Sequence, residues 1–491
     1  MSVYLVGAGC GSPGLITLAA ASAIASARHI VYDRLIHPDL LQLAPGACEF
    51  HLAGKRESDH TLSQDEINAL LAELGRSGET VVRLKGGDPF IFGRGGEEAE
   101  FLERNGIPWR AVPGVTSAVG GALCAGLPAT HRNAASSLTL ATGHRRFDAA
   151  TGEEERFWRG IAAAEGTVAL YMGTSNFAGA ADRLVSHGMS PDTPVSVIQW
   201  GGWGRSARID GTLGSVGRLA RGGGLPNPSI IYIGEVSRIN LSPEPGRLAG
   251  MQIQICRPYP KCWEVGRALE AMGADCYGVP LLALEPMRLD REARSALESA
   301  DWLVITSPRG ASELREAVED LRRVSARVVA IGNGTSEALR SIGIVPDHVA
   351  GGSSDELAKK LTGLVSPGER VLFARNERGS SVAADAARAA GAEVSSFSTY
   401  RMVPSRVPGL EVMREQWESC GVDAVVFGSS ALVEEYARVI GSPPEGSSVI
   451  AWGTACADAA EANFGRRAVK MLTPDMDGLI HALEGLLKLG I

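Results

Sequence analysis

Two glycine-rich stretches carry most of the chemistry that residue type and spacing reveal. The first, Val6-Gly-Ala-Gly-Cys-Gly-Ser-Pro-Gly14, follows an apolar run, and Asp33 lies about 20 residues beyond it. That order invites a dinucleotide site, with glycines against a pyrophosphate and the acid on a ribose. Pro13 and Gly14 oppose it, because they stop a helix from starting where such a site needs one. The second stretch runs from Val82 to Gly96 and places Asp88 between a glycine pair and Pro89. Its carboxylate can fix a ribose or a ligand amine there, while a tight turn is the plainer reading of Gly86-Gly87. Lys85 precedes its glycines, so the GxxxxGK[ST] phosphate loop is absent. In the second half, hydroxyls recur at Thr306-Ser307, Thr335-Ser336, Ser429-Ser430 and Thr454. Such groups cap helices or hold carboxylates.

Short β-branched runs and helical patterns must position these residues. Strands are expected over 2–7, 29–32, 80–84, 167–172 and 229–234, and helices over 15–27, 64–74, 96–105 and 176–187. The alternation predicts an α/β fold with a largely parallel sheet, whose ligands gather beyond the C-terminal strand ends. Met172 ends one such run beside Gly173 and reads as core or as a ligand contact. The polar, Pro-containing segment 241–249 marks the boundary between two halves. The second half repeats itself: 250–257, 301–308 and 330–338 recur as 368–375, 423–430 and 451–459. Three blocks at nearly one spacing predict two similar α/β domains.

At 491 residues the chain is too long for one core. Hydrophobic residues make up 45% and charged residues 21%, which excludes a wholly disordered chain. The net charge of −8 gives no basic footprint for nucleic acid, yet a few convergent arginines suffice for a small anion. Eight scattered cysteines without a CxxC pair suit free thiols in a reducing cytoplasm. Neither a secretory signal nor a membrane span is expected.

The stretches GAGCGSPGLITL, VYDRLIHP, AGKRE, QDEINALL, VVRLKGGDPFIFGRGGEEAE, VPGVTSA, GLPATHR and LYMG resemble uroporphyrinogen-III C-methyltransferase over residues 1–240. The resemblance replaces the dinucleotide reading. It implies a two-subdomain fold that binds S-adenosylmethionine, releases S-adenosylhomocysteine, needs no metal and acts as a homodimer. Cofactor contacts would come from Cys10, Gly86, Gly87, Asp88, Ile91, Thr116, Ser117, Met172 and Gly201. Asp33 matches the family's proposed general base and Lys55 its proton donor. Arg34, Arg56, Arg94 and Arg132 are candidates for clamping the substrate's carboxylates, each with an ordinary surface arginine as the alternative. The chain departs from the family at Cys10 and Ser12, where Pro and Asp are usual, and at Gln199 and Trp200.

Residues 250–491 resemble uroporphyrinogen-III synthase through VITSPRGASEL, AIGNGTSEALRSIGIVPD, ELAKKL, AAGAEVSSFSTYRM, VVFGSSA and LTPDMDGLIHAL. This implies one lobe from 250–283 plus 404–491 and another from 284–399. Tyr400 matches the tyrosine proposed to help the hydroxyl of hydroxymethylbilane leave. Thr335, Ser429 and Thr454 match positions that hold propionates or acetates. Together the halves would close the macrocycle with inversion of its last pyrrole, then methylate it at C-2 and C-7 to precorrin-2, for sirohaem or cobalamin. The alternative is a methyltransferase whose second half only binds tetrapyrrole.

Overall fold

The computed structural model describes residues 2–53, 62–143, 152–222, 224–241, 246–318, 320–376 and 380–489. Lys55 and Arg56 lie outside these described residues. The chain divides into two compact units, 2–281 with 406–489 and 282–405. No helix among the described residues is long and apolar enough to cross a membrane.

The first unit opens with strands β1 (Val3–Gly7), β2 (His29–Tyr32), β3 (Glu49–Leu52), β4 (Val81–Lys85) and β5 (Trp109–Val112). They form one wholly parallel sheet in the order β3-β2-β4-β1-β5. β1, β2 and β4 are almost entirely buried, as apolar runs covered on both faces must be. The glycine stretches and Asp33 follow their C-terminal ends. The helix expected over 15–27 is shorter: Pro13–Leu15 forms a 3-10 turn, and the α-helix begins at Leu18, where Thr17 accepts from Ala20 N.

A second sheet contains β6 (Leu138–Thr142), β7 (Thr167–Tyr171), β8 (Pro194–Gln199), β9 (Ala207–Thr212) and β10 (Ser229–Ile233), in the order β6-β7-β10-β8-β9. Only β6 and β7 run parallel. The expectation of a largely parallel arrangement therefore holds for the first sheet and fails for this one. β8 and β9 form a hairpin through 200–206, and β10 enters between β7 and β8 against both.

The chain continues with β11 (Gln252–Cys256) and β12 (Asp275–Gly278). The second unit then contributes β13 (Leu282–Pro286), β14 (Trp302–Ile305), β15 (Arg327–Ile331), β16 (His348–Ala350), β17 (Arg370–Asn376) and β18 (Glu393–Pro404). The first unit resumes with β19 (Ala424–Phe427), β20 (Ser448–Ala451) and β21 (Val469–Lys470). Sheet orders are β12-β11-β19-β20-β21 and β13-β18-β17-β14-β15-β16. Apart from β13, the two sheets have the same strand sequence in space, with β11 matching β17, β19 matching β14 and β20 matching β15. These are the three repeated blocks. Even their anchors repeat: Gln252 N donates to Asp423 Oδ2 at 2.7 Å, as Arg370 N donates to Asp301 Oδ2 at 2.8 Å. In the expected interdomain segment, Leu248 is fully buried in the core beneath β11.

Candidate active site

Parallel strands deliver their following loops to one edge of a sheet, and here the two glycine stretches meet. Gly87 N donates to Gly9 O at 2.8 Å, and Gly9 N returns to Gly87 O at 3.2 Å. The glycines thus serve close backbone approach. A Cβ on Gly11, at φ +84°, would stand 2.2 Å from the Gly202 carbonyl carbon, so only glycine lets the first loop touch the loop after β8.

Between the first two sheets lies a cavity of about 510 Å³. Cys10, Gly86, Gly87, Asp88, Ile91, Thr116, Ser117, Met172 and Gly201 all line it, together with Asp33 and Arg34. Arg94 and Arg132 do not; Arg94 instead forms a two-pronged pair with Glu97 at 2.6 and 3.0 Å. Arg34 reaches the rim but pairs with Glu415. Phe92, Met172 and Trp200, also in the wall, hold φ values of +53°, +51° and +50°. Left-handed backbone at bulky residues is costly, and such residues gather where a surface has been shaped for a ligand.

Asp33 follows β2 and rests on a buried charged cluster absent from the sequence expectations. Arg83 donates to Asp33 Oδ1 at 2.6 Å and to Glu98 Oε1 at 3.1 Å. Lys85 Nζ lies 2.9 Å from Glu98 Oε1 and 3.9 Å from Asp33 Oδ2. Burial and the adjacent Arg83 push the Lys85 ammonium below its ordinary value, against the opposing pull of Asp33 and Glu98. Asp33 itself is a third exposed, so one carboxylate edge is anchored while the group faces the cavity. Arg83 and Lys85 alternate in β4 and so share one face of the strand. Only Glu98, wholly buried on the following helix, explains their placement.

The Asp88 carboxylate at the cavity is held by backbone N–H groups. Its Oδ1 accepts from Phe90 N at 2.9 Å and its Oδ2 from Gly114 N at 3.1 Å, so it fastens the glycine turn to the next loop. That loop leads into the helix Ser117–Cys124, whose first residues line the cavity. The positive end of that helix's dipole favours negative charge on a ligand. Tyr171 accepts from Ala118 N at 3.0 Å and shares a 2.5 Å hydrogen bond with Thr116 Oγ1. Burial pushes the Cys10 thiol up to about 11, so it stays protonated as a packing group.

The departures at Ser12 and Trp200 face the second half of the chain. Ser12 donates to Glu270 Oε2 at 2.8 Å. Arg205 lies 4.1 Å from the Trp200 ring and 4.4 Å from the Trp203 ring, and donates to Tyr277 Oη at 2.8 Å and Gln252 Oε1 at 3.1 Å. Asp39, fully buried, accepts from Gly278 N at 2.9 Å. Cavity wall and β12 are therefore joined through a shared polar network.

Of the candidates of the second half, Tyr400 lies within a strand and the other three at helix starts. Tyr400, 8% exposed, lies on β18 opposite Pro286. Thr335 is buried in the first turn of the helix Gly332–Ser341, with no hydrogen-bond partner for its hydroxyl among the described residues. Ser429 precedes the helix Ser430–Val439 without capping it through its side chain, and Thr454 accepts from Lys470 Nζ at 2.5 Å.

Comparison with known proteins agrees with this division. Residues 2–217 match the family model of Tetrapyrrole (Corrin/Porphyrin) Methylases, and 264–481 match that of Uroporphyrinogen-III synthase HemD. The chain is 37% identical to a uroporphyrinogen-III C-methyltransferase of Bacillus subtilis (strain 168), covering 70% of this chain and 72% of that protein. It is 33% identical to a porphyrin biosynthesis protein HemD of Ruminiclostridium josui, covering 70% of each. A solved uroporphyrin-III C-methyl transferase from Thermus thermophilus, complexed with S-adenyl homocysteine, is 34% identical and covers 49% of this chain and 100% of that one, at TM-score 0.41. A methylase-type cavity in the first half and a repeated α/β pair in the second are thus explained together: the chain belongs to the uroporphyrinogen-III C-methyltransferase family and, with its uroporphyrinogen-III synthase half, is a bifunctional tetrapyrrole enzyme.

Proposed function

We propose that the second half closes hydroxymethylbilane to uroporphyrinogen III and that the first half methylates this product at C-2 and C-7, giving precorrin-2. The observation that supports the methylation reading best is the single cavity lined by the Gly86–Asp88 turn, the Thr116–Ser117 helix start, Met172 and Asp33. Its size, its close backbone approaches and its helix N-terminus fit S-adenosylmethionine, an amino acid joined to a nucleoside through sulfur. When bound, that group supplies an electrophilic methyl on a sulfonium.

The chain's own part is alignment and proton handling. Gly86 and Gly87 leave room beside their backbone, while the Ser117 helix start would hold a carboxylate of the bound donor. Trp200 and Met172 exclude water from the opposite wall. Asp33, braced by Arg83, presents a carboxylate where a pyrrole gains positive charge as its carbon is alkylated, and it takes up the proton released afterwards. The anchoring of Asp33 fixes its direction, so it stabilises charge without reorganising.

For ring closure, Tyr400 donates a proton to the departing hydroxyl, and Thr335, Ser429 and Thr454 hold acidic side chains of the bilane. The synthase family match and the placement of these hydroxyls at helix starts support this assignment. The working form is a cytoplasmic homodimer. Val119 and Leu123, one turn apart and both exposed, offer an apolar contact for a second copy. The test is to supply hydroxymethylbilane with and without S-adenosylmethionine and identify the products. Type III uroporphyrinogen without the cofactor and precorrin-2 with it are expected; the type I isomer alone contradicts the synthase step, and unmethylated product contradicts the transferase step.

A further inference from the structure

A cluster at the opposite end of β2 has no part in the chemistry above. His29 begins β2, and Glu49 and His51 lie on β3, the edge strand of the first sheet. Alternation along a strand puts Glu49 and His51 on one face. His29 is the direct cross-strand partner of Glu49, so its side chain joins them. Sheet geometry therefore assembles two imidazoles and a carboxylate from residues scattered in sequence.

We propose that His29, Glu49 and His51 form a binding site for a divalent transition cation of the zinc class. His29 Nδ1 lies 3.4 Å from His51 Nε2 and 3.5 Å from Glu49 Oε2, and the three ligand atoms all fall within 4.8 Å of one another. A tetrahedral ion with bonds of about 2.0–2.1 Å holds its ligand atoms roughly 3.4 Å apart, which is the spacing of the two closest pairs.

The surroundings select the required protonation state. His29 Nε2 lies 2.9 Å from Glu79 Oε2, so it carries the proton and leaves Nδ1 with its lone pair toward the cluster. A carboxylate behind a ligating histidine orients the ring and raises its basicity. Arg28 contacts the other oxygens, Glu49 Oε1 at 3.1 Å and Glu79 Oε1 at 3.5 Å, leaving both Oε2 atoms to the histidine. Two carboxylates face the single Arg28 guanidinium, which leaves room for added positive charge; Arg406 near His51 opposes it. Nitrogen donors favour zinc, cobalt(II) or nickel(II) over magnesium or calcium. His29 is buried, His51 half-buried and Glu49 exposed, so a fourth position is open to water. The ion would clamp the edge strand onto β2. Asp33 stands four positions beyond His29, roughly 13 Å along an extended chain, which keeps the site apart from the cavity.

The test uses the full-length protein after dialysis against a chelator, titrated with cobalt(II). The expected result is one equivalent bound, with the intense visible absorption of a tetrahedral site, no thiolate charge-transfer band, and displacement by zinc. His51→Ala should abolish that spectrum while retaining the far-UV circular dichroism of the parent. Glu79→Gln should weaken binding roughly 10–100-fold. Absence of stoichiometric binding, several weak equivalents, or a bound spectrum indifferent to His51→Ala would overturn the proposal.

Discussion

Ser12 Oγ donates to Glu270 Oε2 at 2.8 Å, joining the loop that pairs with the cofactor-side glycine turn to the first helix of the synthase half. Glu270 also accepts from Arg267, which reaches Asp39 at 3.3 Å. Burial pushes the Glu270 carboxyl up to about 8 and the Asp39 carboxyl up to about 6, each against the pull of Arg267. An acid raised in the folded state contributes stability that is full below its unfolded value and is lost as pH rises through its folded value. For Glu270 that window runs from 4.5 to about 8. Glu270→Gln is therefore predicted to raise Tm at pH 8 to 9 and to leave it nearly unchanged near pH 5. Thermal melts across that range check the sign.

Arg205 carries the second link between the halves. Arg205→Ala removes its contacts with Trp200 and Trp203 and its hydrogen bonds to Tyr277 and Gln252. Cation–π contacts of this kind contribute about 0.5–2 kcal/mol each. S-adenosylhomocysteine affinity is predicted to fall roughly 10-fold, with a smaller loss in kcat. Calorimetric titration checks it.

How much of this was legible beforehand differs between the two kinds of site residue. The Gly86–Asp88 turn and Asp33 could be singled out because glycine pairs and strand-end acids are locally distinctive. Asp88 stands out between its glycine pair and Pro89, yet its bond from Gly114 N appears only when the folded loops meet. Arg83, Lys85 and Glu98 escaped notice because their meaning lies in mutual burial across 15 positions, not in any spacing. The sheet of β6–β10 was misjudged because β-branched runs reveal strands but not their direction. Conversely, the repeated blocks predicted two similar α/β domains, and one block repeats a strand together with its anchoring aspartate, Asp301 and Asp423.

Glu98 is wholly buried and is shared by Arg83 and Lys85. Glu98→Ala removes the nearest partner of buried Lys85 and leaves Arg83 with Asp33 alone, and breaking such a buried arrangement destabilises by about 3–5 kcal/mol. Chemical denaturation should show that loss. Glu98→Gln should lose less, because it keeps an acceptor.

Asp88→Ala leaves Phe90 N and Gly114 N without their acceptor. A loss of about 1–3 kcal/mol in stability is predicted, together with weaker S-adenosylhomocysteine binding. Asp88→Asn, which retains one acceptor oxygen, should fall between the two. Denaturation and titration of the three proteins give the order.

Tyr400→Phe is predicted to lower the type III fraction from hydroxymethylbilane while leaving methylation of supplied uroporphyrinogen III at the parent rate. Isomer analysis separates the outcomes.

The most direct measurement is labelled methyl transfer from S-adenosylmethionine to uroporphyrinogen III by the parent protein and by Asp33→Asn, with binding of the methyl donor measured in parallel. The account predicts that both proteins bind the donor and that the variant transfers methyl about 100-fold or more slowly. Transfer at the parent rate by the variant, or a folded parent protein that does not bind the donor, would contradict it.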